Sequence, residues 1–150
     1  MRLFLAALLF AASFVRAEDT NNLGAYTATD LNEDLEAFLI ESLKDTALYD
    51  DDVSSRVCVQ DIVSVEKQTV AGTNYRFKVK ACDVVQTLQS VTKNEPASDA
   101  IEAQLGDCQD EILDSCDPME ATITVFEQPW TSIVIVSSIE FPDASVVREL

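Results

Sequence analysis

The sequence predicts an α+β fold in which a single helix packs across a four- to five-stranded antiparallel meander sheet. Three observations predict it. Leu31, Leu35, Phe38, Leu39 and Leu43 recur at helical spacing, with Glu33, Asp34, Glu36 and Glu41 mainly on other faces. Tyr75, Phe77, Val79 and Ala81 alternate with Asn74, Arg76, Lys78 and Lys80, the pattern of a strand with one dry and one wet face. Two turn-like stretches, Gln68-Thr69-Val70-Ala71-Gly72 and Pro129-Trp130, each lie between strand-like runs. One helix laid on an antiparallel meander satisfies all of these apolar faces.

Taken in order, the chain opens with a basic Met1-Arg2, an apolar run from Leu3 to Ala12, and Val15-Arg16-Ala17. This reads as a secretory signal over residues 1–17, cleaved after Ala17, and the run is too short to span a bilayer. Residues 18–150 form one domain. Residues 18–28 are polar, with Leu23-Gly24 as the one apolar-then-flexible step, and can add a fifth strand. The helix opens at Asp30, with Glu33 completing a capping box, and runs to about Tyr49. Asp50-Asp51-Asp52 ends it, because three acids oppose the dipole at a helix C-terminus.

From Arg56 to Lys67 the chain alternates as a strand, with Val57, Val59, Val63 and Val65 on one face. Centring the first hairpin on Val70 sets Cys58 opposite Cys82, Val65 opposite Tyr75 and Val63 opposite Phe77, so both apolar rows share a face. Residues 84–118 form a surface excursion, not a second domain. It holds a short helix capped near Ser98 or Asp99, with Ile101 and Leu105 apolar and Gly106 as the stop. Two more strands follow, Thr122 to Glu127 and Ser132 to Phe141. Ile123 and Val125 share a face in the first, and Ile133, Ile135, Ile139 and Phe141 in the second. The opposite face carries Phe126, Val134 and Val136, to be covered by the tail, the insertion or a second copy of the chain.

Composition narrows the function. The full chain carries 10 basic and 27 acidic residues. Removing Arg2 and Arg16 with the signal leaves 8 against 27, a net charge of −19. Such a surface repels phosphate, so neither nucleic acid nor an anionic membrane is a partner. Catalysis is poorly served, because the chain has no histidine to act as a general base. Its carboxylates lie on solvated faces or in acidic runs, so no catalytic residue is assigned and the protein reads as a non-enzyme. With 3 glycines there is no phosphate loop, and no cofactor is implied. Cys58, Cys82, Cys108 and Cys116 in a secreted chain read as two disulfides, with three connectivities open. The hairpin register favours Cys58–Cys82 with Cys108–Cys116. No CxxC pair and no histidine are present, so no metal site is expected.

The binding reading rests on the tips. A hairpin tip favours Asn-Gly or Asp-Gly, whereas the first tip displays Val70, a stiff apolar residue that gains nothing from facing water. The second displays Trp130, the one tryptophan of the chain, beside a proline that limits ladder bonding. Two apolar tips suggest a surface shaped to enter another molecule.

Gly24 before the helix, Gln68-Val70-Gly72 in the pattern Q-x-V-x-G, and Pro129-Trp130 at the second hairpin together resemble the cystatins, inhibitors of papain-like cysteine proteases. The resemblance covers most of residues 22–141, and the acidic secreted chain is most similar to the extracellular cystatin-like inhibitors of oomycete plant pathogens, which act in the apoplast. It implies a protease-binding wedge of Leu23, Gly24, Gln68, Thr69, Val70, Ala71, Gly72, Pro129 and Trp130. Leu23 would fill an apolar subsite, Gly24 would turn the trunk away from the catalytic thiol, and the Val70 tip and Trp130 would occupy the primed side. The chain departs from the family in its cysteine spacing and in Leu35-Glu36-Ala37-Phe38-Leu39-Ile40-Glu41, which only partly matches the helix motif of plant cystatins. The alternative is a non-inhibitory binding or dimerising module on the same scaffold. The expected state is a monomer, and a strained valine at the tip also admits a domain-swapped dimer that would bury the first tip.

Overall fold

The computed structural model describes residues 24–142, so the expected signal at residues 1–17, Leu23 and residues 143–150 lie outside the described residues. Helix α1 (Glu33–Lys44) starts at Asn32, whose side chain accepts from the Leu35 N–H at 2.9 Å. The cap is therefore Asn32 and not Asp30, because an N-cap oxygen reaches the N–H two or three residues on. The helix stops at Lys44, short of Tyr49. Asp45 leaves helical geometry, and its carboxylate accepts from the Ala47 N–H at 3.0 Å, capping a 3₁₀ turn at Thr46–Leu48.

Strands β1 (Thr27–Thr29), β2 (Val57–Val70), β3 (Gly72–Asp83), β5 (Met119–Gln128) and β6 (Ile133–Glu140) form an antiparallel meander in the order β1-β2-β3-β5-β6. The two-residue β4 (Gly106–Asp107) adds in parallel to the start of β2. The N-terminal segment thus supplies the fifth meander strand. Helix α1 lays Leu39 and Leu43 onto the inner face, against Val57, Val59, Val65, Phe77, Val79, Ile123, Val125 and Val136. Ser42, also buried, returns its hydroxyl to the Phe38 carbonyl at 2.7 Å, so no polar group is stranded there. Among the described residues no helix is long and apolar enough to cross a membrane.

The register of β2 differs from the expected one. The first hairpin is centred on Ala71, with Val70 opposite Gly72. Val65 therefore faces Phe77, and Tyr75 faces Lys67. Two one-residue irregularities, between Val59 and Asp61 and between Ile62 and Ser64, then carry the pairing back to Cys58 opposite Cys82. Val63 falls in the second and turns outward, 55% exposed, instead of joining the core. A similar shift in β6, between Ser138 and Val136, flips its expected faces. Val136 is buried and Val134 packs on the core, while Ile135 pairs with Phe126 on the outer face and Ile133 is exposed. Ile139 and Phe141, beyond the shift, face inward as expected. The apolar face of Phe126, Val134 and Val136 does not exist, since the three residues divide between the two sides of the sheet.

The insertion contains more order than its sequence reading gave it. Helix α2 (Val84–Thr92) follows β3 directly, capped by Asp83 accepting from the Gln86 N–H at 3.0 Å. Helix α3 (Ser98–Glu102) lies where the short helix was expected, but Gly106 lies in β4 and is not its stop. Helix α4 (Asp110–Leu113) follows. Cys58, Cys82, Val84, Leu105 and Ile112 make a second small core there, continuous with the sheet through its first two members.

The disulfides are Cys58–Cys108 and Cys82–Cys116, which replaces the expected Cys58–Cys82 and Cys108–Cys116. Cys58 and Cys82 are direct cross-strand neighbours, yet each bonds to the insertion. Neighbours of that kind hold their Cβ atoms about 4.5–5.5 Å apart, wider than the roughly 3.8 Å that a disulfide prefers. The insertion places its own cysteines freely, at Cα separations of 4.8 and 6.2 Å. Digestion at acidic residues without reduction is expected to yield peptides linking Cys58 to Cys108 and Cys82 to Cys116. A Cys58–Cys82 peptide would overturn this pairing.

Tyr49 ties the segment after α1 to the core, donating its hydroxyl to the Leu43 carbonyl at 2.7 Å beneath the Arg56 guanidinium. Burial pushes its phenol up from 10 to about 12, with the Arg56 charge opposing. The folded chain therefore keeps this proton where the unfolded chain releases it. The contribution is whole below pH 10 and is lost as pH rises through 12. Thermal unfolding between these pH values is expected to show a midpoint that falls steeply in the native chain and less in Tyr49→Phe.

Candidate functional site

The first candidate segment is the β2–β3 turn. Gly72 takes a φ of +128°, and a Cβ built there would lie 2.6 Å from the Glu127 carbonyl oxygen and 2.6 Å from the Phe126 ring. Only glycine lets the first hairpin lie this close to β5. Val70, one residue before the Ala71 bend, is left 45% exposed. The second turn is a 3₁₀ turn at Pro129–Thr131 that opens on its proline, where a missing N–H costs nothing. It carries Trp130 outward, 70% exposed. Burying a tryptophan's roughly 200 Å² at about 25 cal/mol per Å² is worth about 5 kcal/mol, so this residue forgoes a large stabilisation in the free protein.

Two side-chain bridges bring the segments together. Gln128 Nε2 donates to the Ala71 carbonyl at 2.9 Å, across a gap of 57 residues in sequence. Thr131 Oγ1 donates to Gln128 Oε1 at 2.6 Å and fixes which way that amide points. Gln68 Nε2 donates to the Gly24 carbonyl, 44 residues away. Gly24 itself takes a φ of +95°, so the chain turns at that point. Gly24, the Val70–Gly72 tip and the Pro129–Trp130 turn therefore meet at one end of the sheet.

Of the residues singled out in the sequence, Gly24, Gln68, Thr69, Val70, Ala71, Gly72, Pro129 and Trp130 are brought to this end, and Leu23 lies outside the described residues. Sequence reasoning missed Gln128 and Thr131, which hold the tips in place, and Tyr26, Asn74 and Arg76 beside the leader. An amide directly before the Pro-Trp turn was the available signal for Gln128. The cysteines lie at the start of β2, the end of β3 and the insertion, away from the tips.

In a chain of net charge −17, residues 24–29, 68–74 and 128–132 carry no charge at all. Burying this end against another surface would remove apolar and amide groups from water and leave the carboxylates hydrated elsewhere. Burial raises the Tyr75 phenol above its ordinary range, and the Glu127 charge adds to the rise while a hydrogen bond with Thr73 offsets part of it. The phenol beneath the tips is thus neutral and packs edge-on to Phe38, with ring centroids 5.6 Å apart. The site offers rigid apolar projections and backbone groups, the chemistry of a plug.

No protein-family model matches the chain. The cystatin-like cysteine protease inhibitor EPIC4 of Phytophthora infestans is 30% identical to it over 148 residues, spanning 97% of this chain and 76% of that protein. The crystal structure of a salivary cystatin from the soft tick Ornithodoros moubata has a TM-score of 0.50 at 14% identity, over 80% of this chain and 98% of that one. Mialostatin, a gut cystatin from the hard tick Ixodes ricinus, gives a TM-score of 0.46 at 18% identity, over 79% and 99%. The tick salivary protein bears on the fold, one helix across a meander. The relative from Phytophthora, matched along nearly the whole chain, bears on the family. This chain belongs to the cystatin-like cysteine protease inhibitors.

Proposed function

We propose that the protein is secreted through the signal at residues 1–17 and, as a monomer, reversibly blocks the active-site cleft of papain-like cysteine proteases. The wedge comprises Leu23, Gly24, the Gln68–Gly72 tip and Pro129-Trp130. The observation that carries this reading is the pair of bridges from Gln68 to Gly24 and from Gln128 to Ala71, which set three distant segments side by side with Val70 and Trp130 facing water. Their partner is a host protease met outside the cell.

Physical economy supports the same mechanism. A surface already ordered loses little conformational entropy on docking. Val70, Pro129 and Trp130 have few rotamers to freeze, so the apolar area they bury is largely retained as affinity. The wedge fills the cleft with a turn and a leader, and presents no extended peptide bond to the thiol. Inhibition is then occupancy, not turnover. A dimerising role finds no support in the sheet, since its expected apolar face is divided between two sides.

Titration of papain with the mature protein tests this reading, and full activity at saturating protein would refute it. Trp130→Ala is expected to weaken inhibition by about 30-fold or more, since aromatic anchors at an interface centre carry about 2 kcal/mol or more. Its thermal midpoint stays unchanged because the ring is exposed in the free protein. Gly72→Glu is expected to raise the inhibition constant by at least about 100-fold, through displacement of the tip from the Glu127 backbone. Circular dichroism should still report a folded sheet, because the clash lies at the tip and not in the core. An unaltered inhibition constant in Gly72→Glu would remove the tip from the site.

A further inference from the structure

Two cross-strand pairs on the outer face of the sheet each end on the leader. Gln68 and Asn74 are direct partners across β2 and β3, and so are Glu66 and Arg76 two residues further down. Gln68 donates to the Gly24 carbonyl, and Asn74 Nδ2 donates to Gln68 Oε1 at 2.9 Å. The order of this relay is forced. A backbone carbonyl only accepts, so Gly24 requires the amino group of Gln68, which leaves Oε1 facing a donor that Asn74 must supply. In the second pair the Arg76 guanidinium lies 3.8 Å over the Tyr26 ring, and Glu66 Oε2 accepts from it at 2.5 Å. Stacking fixes the ring face-on and the carboxylate fixes the rotation of the guanidinium. Gly24 and Tyr26 are thus held by side chains oriented in turn by a second residue. Beyond them Thr27 enters the sheet opposite Lys67.

We propose that the Asn74–Gln68 and Glu66–Arg76 pairs form a clamp that sets the inhibitory leader in place before docking, with Gln68 a positioning residue for the leader and Asn74 acting through it. Its inhibitory consequence rests on the wedge reading of the preceding subsection. Gln68 is half-buried, and its oxygen and one N–H are both engaged inside the molecule. Its part in the Q-x-V-x-G pattern is then to join the first tip to the leader. Ordering the leader in the free protein removes that entropy loss from the binding step.

Asn74→Asp tests the relay with almost no change of shape. A carboxylate cannot donate, so Gln68 turns its amino group toward the new acid and offers Oε1 to the Gly24 carbonyl, breaking the contact. Hydrogen exchange across β1, whose Thr27–Thr29 backbone pairs with β2 directly after the clamped residues, is expected in the free mature protein to accelerate at least about tenfold in Asn74→Asp and in Gln68→Ala, with thermal midpoints unchanged. Unchanged exchange would overturn the clamp, whether or not the protein inhibits papain. In the inhibition assay, each variant alone is expected to raise the inhibition constant by about tenfold, while Asn74→Asp adds nothing in the Gln68→Ala background. Losses that multiply would overturn the relay, because a direct or purely structural role for Asn74 persists without Gln68. A wild-type protein that leaves papain fully active would refute the proposed function, and the exchange measurement would still decide the clamp.

Discussion

A side-chain carbon at position 72 would lie 2.6 Å from the Glu127 carbonyl oxygen, and no residue but glycine avoids that collision. The close approach it permits sets how near the first hairpin lies to β5, and so the distance between the two tips. Only at that spacing does the Gln128 amide reach the Ala71 carbonyl at 2.9 Å. The placement of Val70 relative to Trp130 follows. One backbone contact thus governs a surface assembled from segments about 60 residues apart. The core beneath is ordinary by comparison: α1 lies across a sheet whose inner face is made of Val, Ile, Phe and Ala.

The distribution of charge follows a similar division. Twenty-seven acids keep the body hydrated, and they leave the leader and the two tips, residues 24–29, 68–74 and 128–132, empty of charge. A carboxylate at a tip would have to be desolvated on docking, at a cost of several kcal/mol unless it found a partner there. The neutral tips avoid that cost, and the acidic body supplies solubility. The exception close by, Glu127, contributes its backbone to the contact with Gly72 and adds to the burial that raises the neighbouring Tyr75 phenol.

Much of this architecture is legible in the residues, and the failures have a common physical cause. Helix α1 announces itself through Leu31, Leu35, Phe38, Leu39 and Leu43, and the β3 strand through strict alternation, because each pattern reports burial on one face. The two tips are legible because Val70 and Trp130 are poor choices for an ordinary turn. Bulges leave no such mark. The two in β2 and the one in β6 each insert a residue without Gly or Pro, and each reverses the alternation across it, so Val63 and Ile133 end on the wrong side of any alternating pattern. The cysteine pairing failed for a related reason. Register correctly places Cys58 beside Cys82, but proximity across a ladder is not disulfide geometry. Helix α2 could have been read, since Val84, Leu88 and Val91 recur at helical spacing after Asp83. The role of Asn74 could not, because it acts through Gln68 on a leader carbonyl that lies 44 residues from Gln68.

Both disulfides enclose the exposed connection between α2 and α3. Cys58 and Cys82 precede it, and Cys108 and Cys116 follow it. A hydrolysed peptide bond anywhere in residues 93–97 would therefore divide the polypeptide into two pieces that remain covalently joined at two points, with β5 still hydrogen-bonded along β3. For a molecule whose working life is spent among enzymes that cut proteins, nicking at that connection becomes a survivable injury.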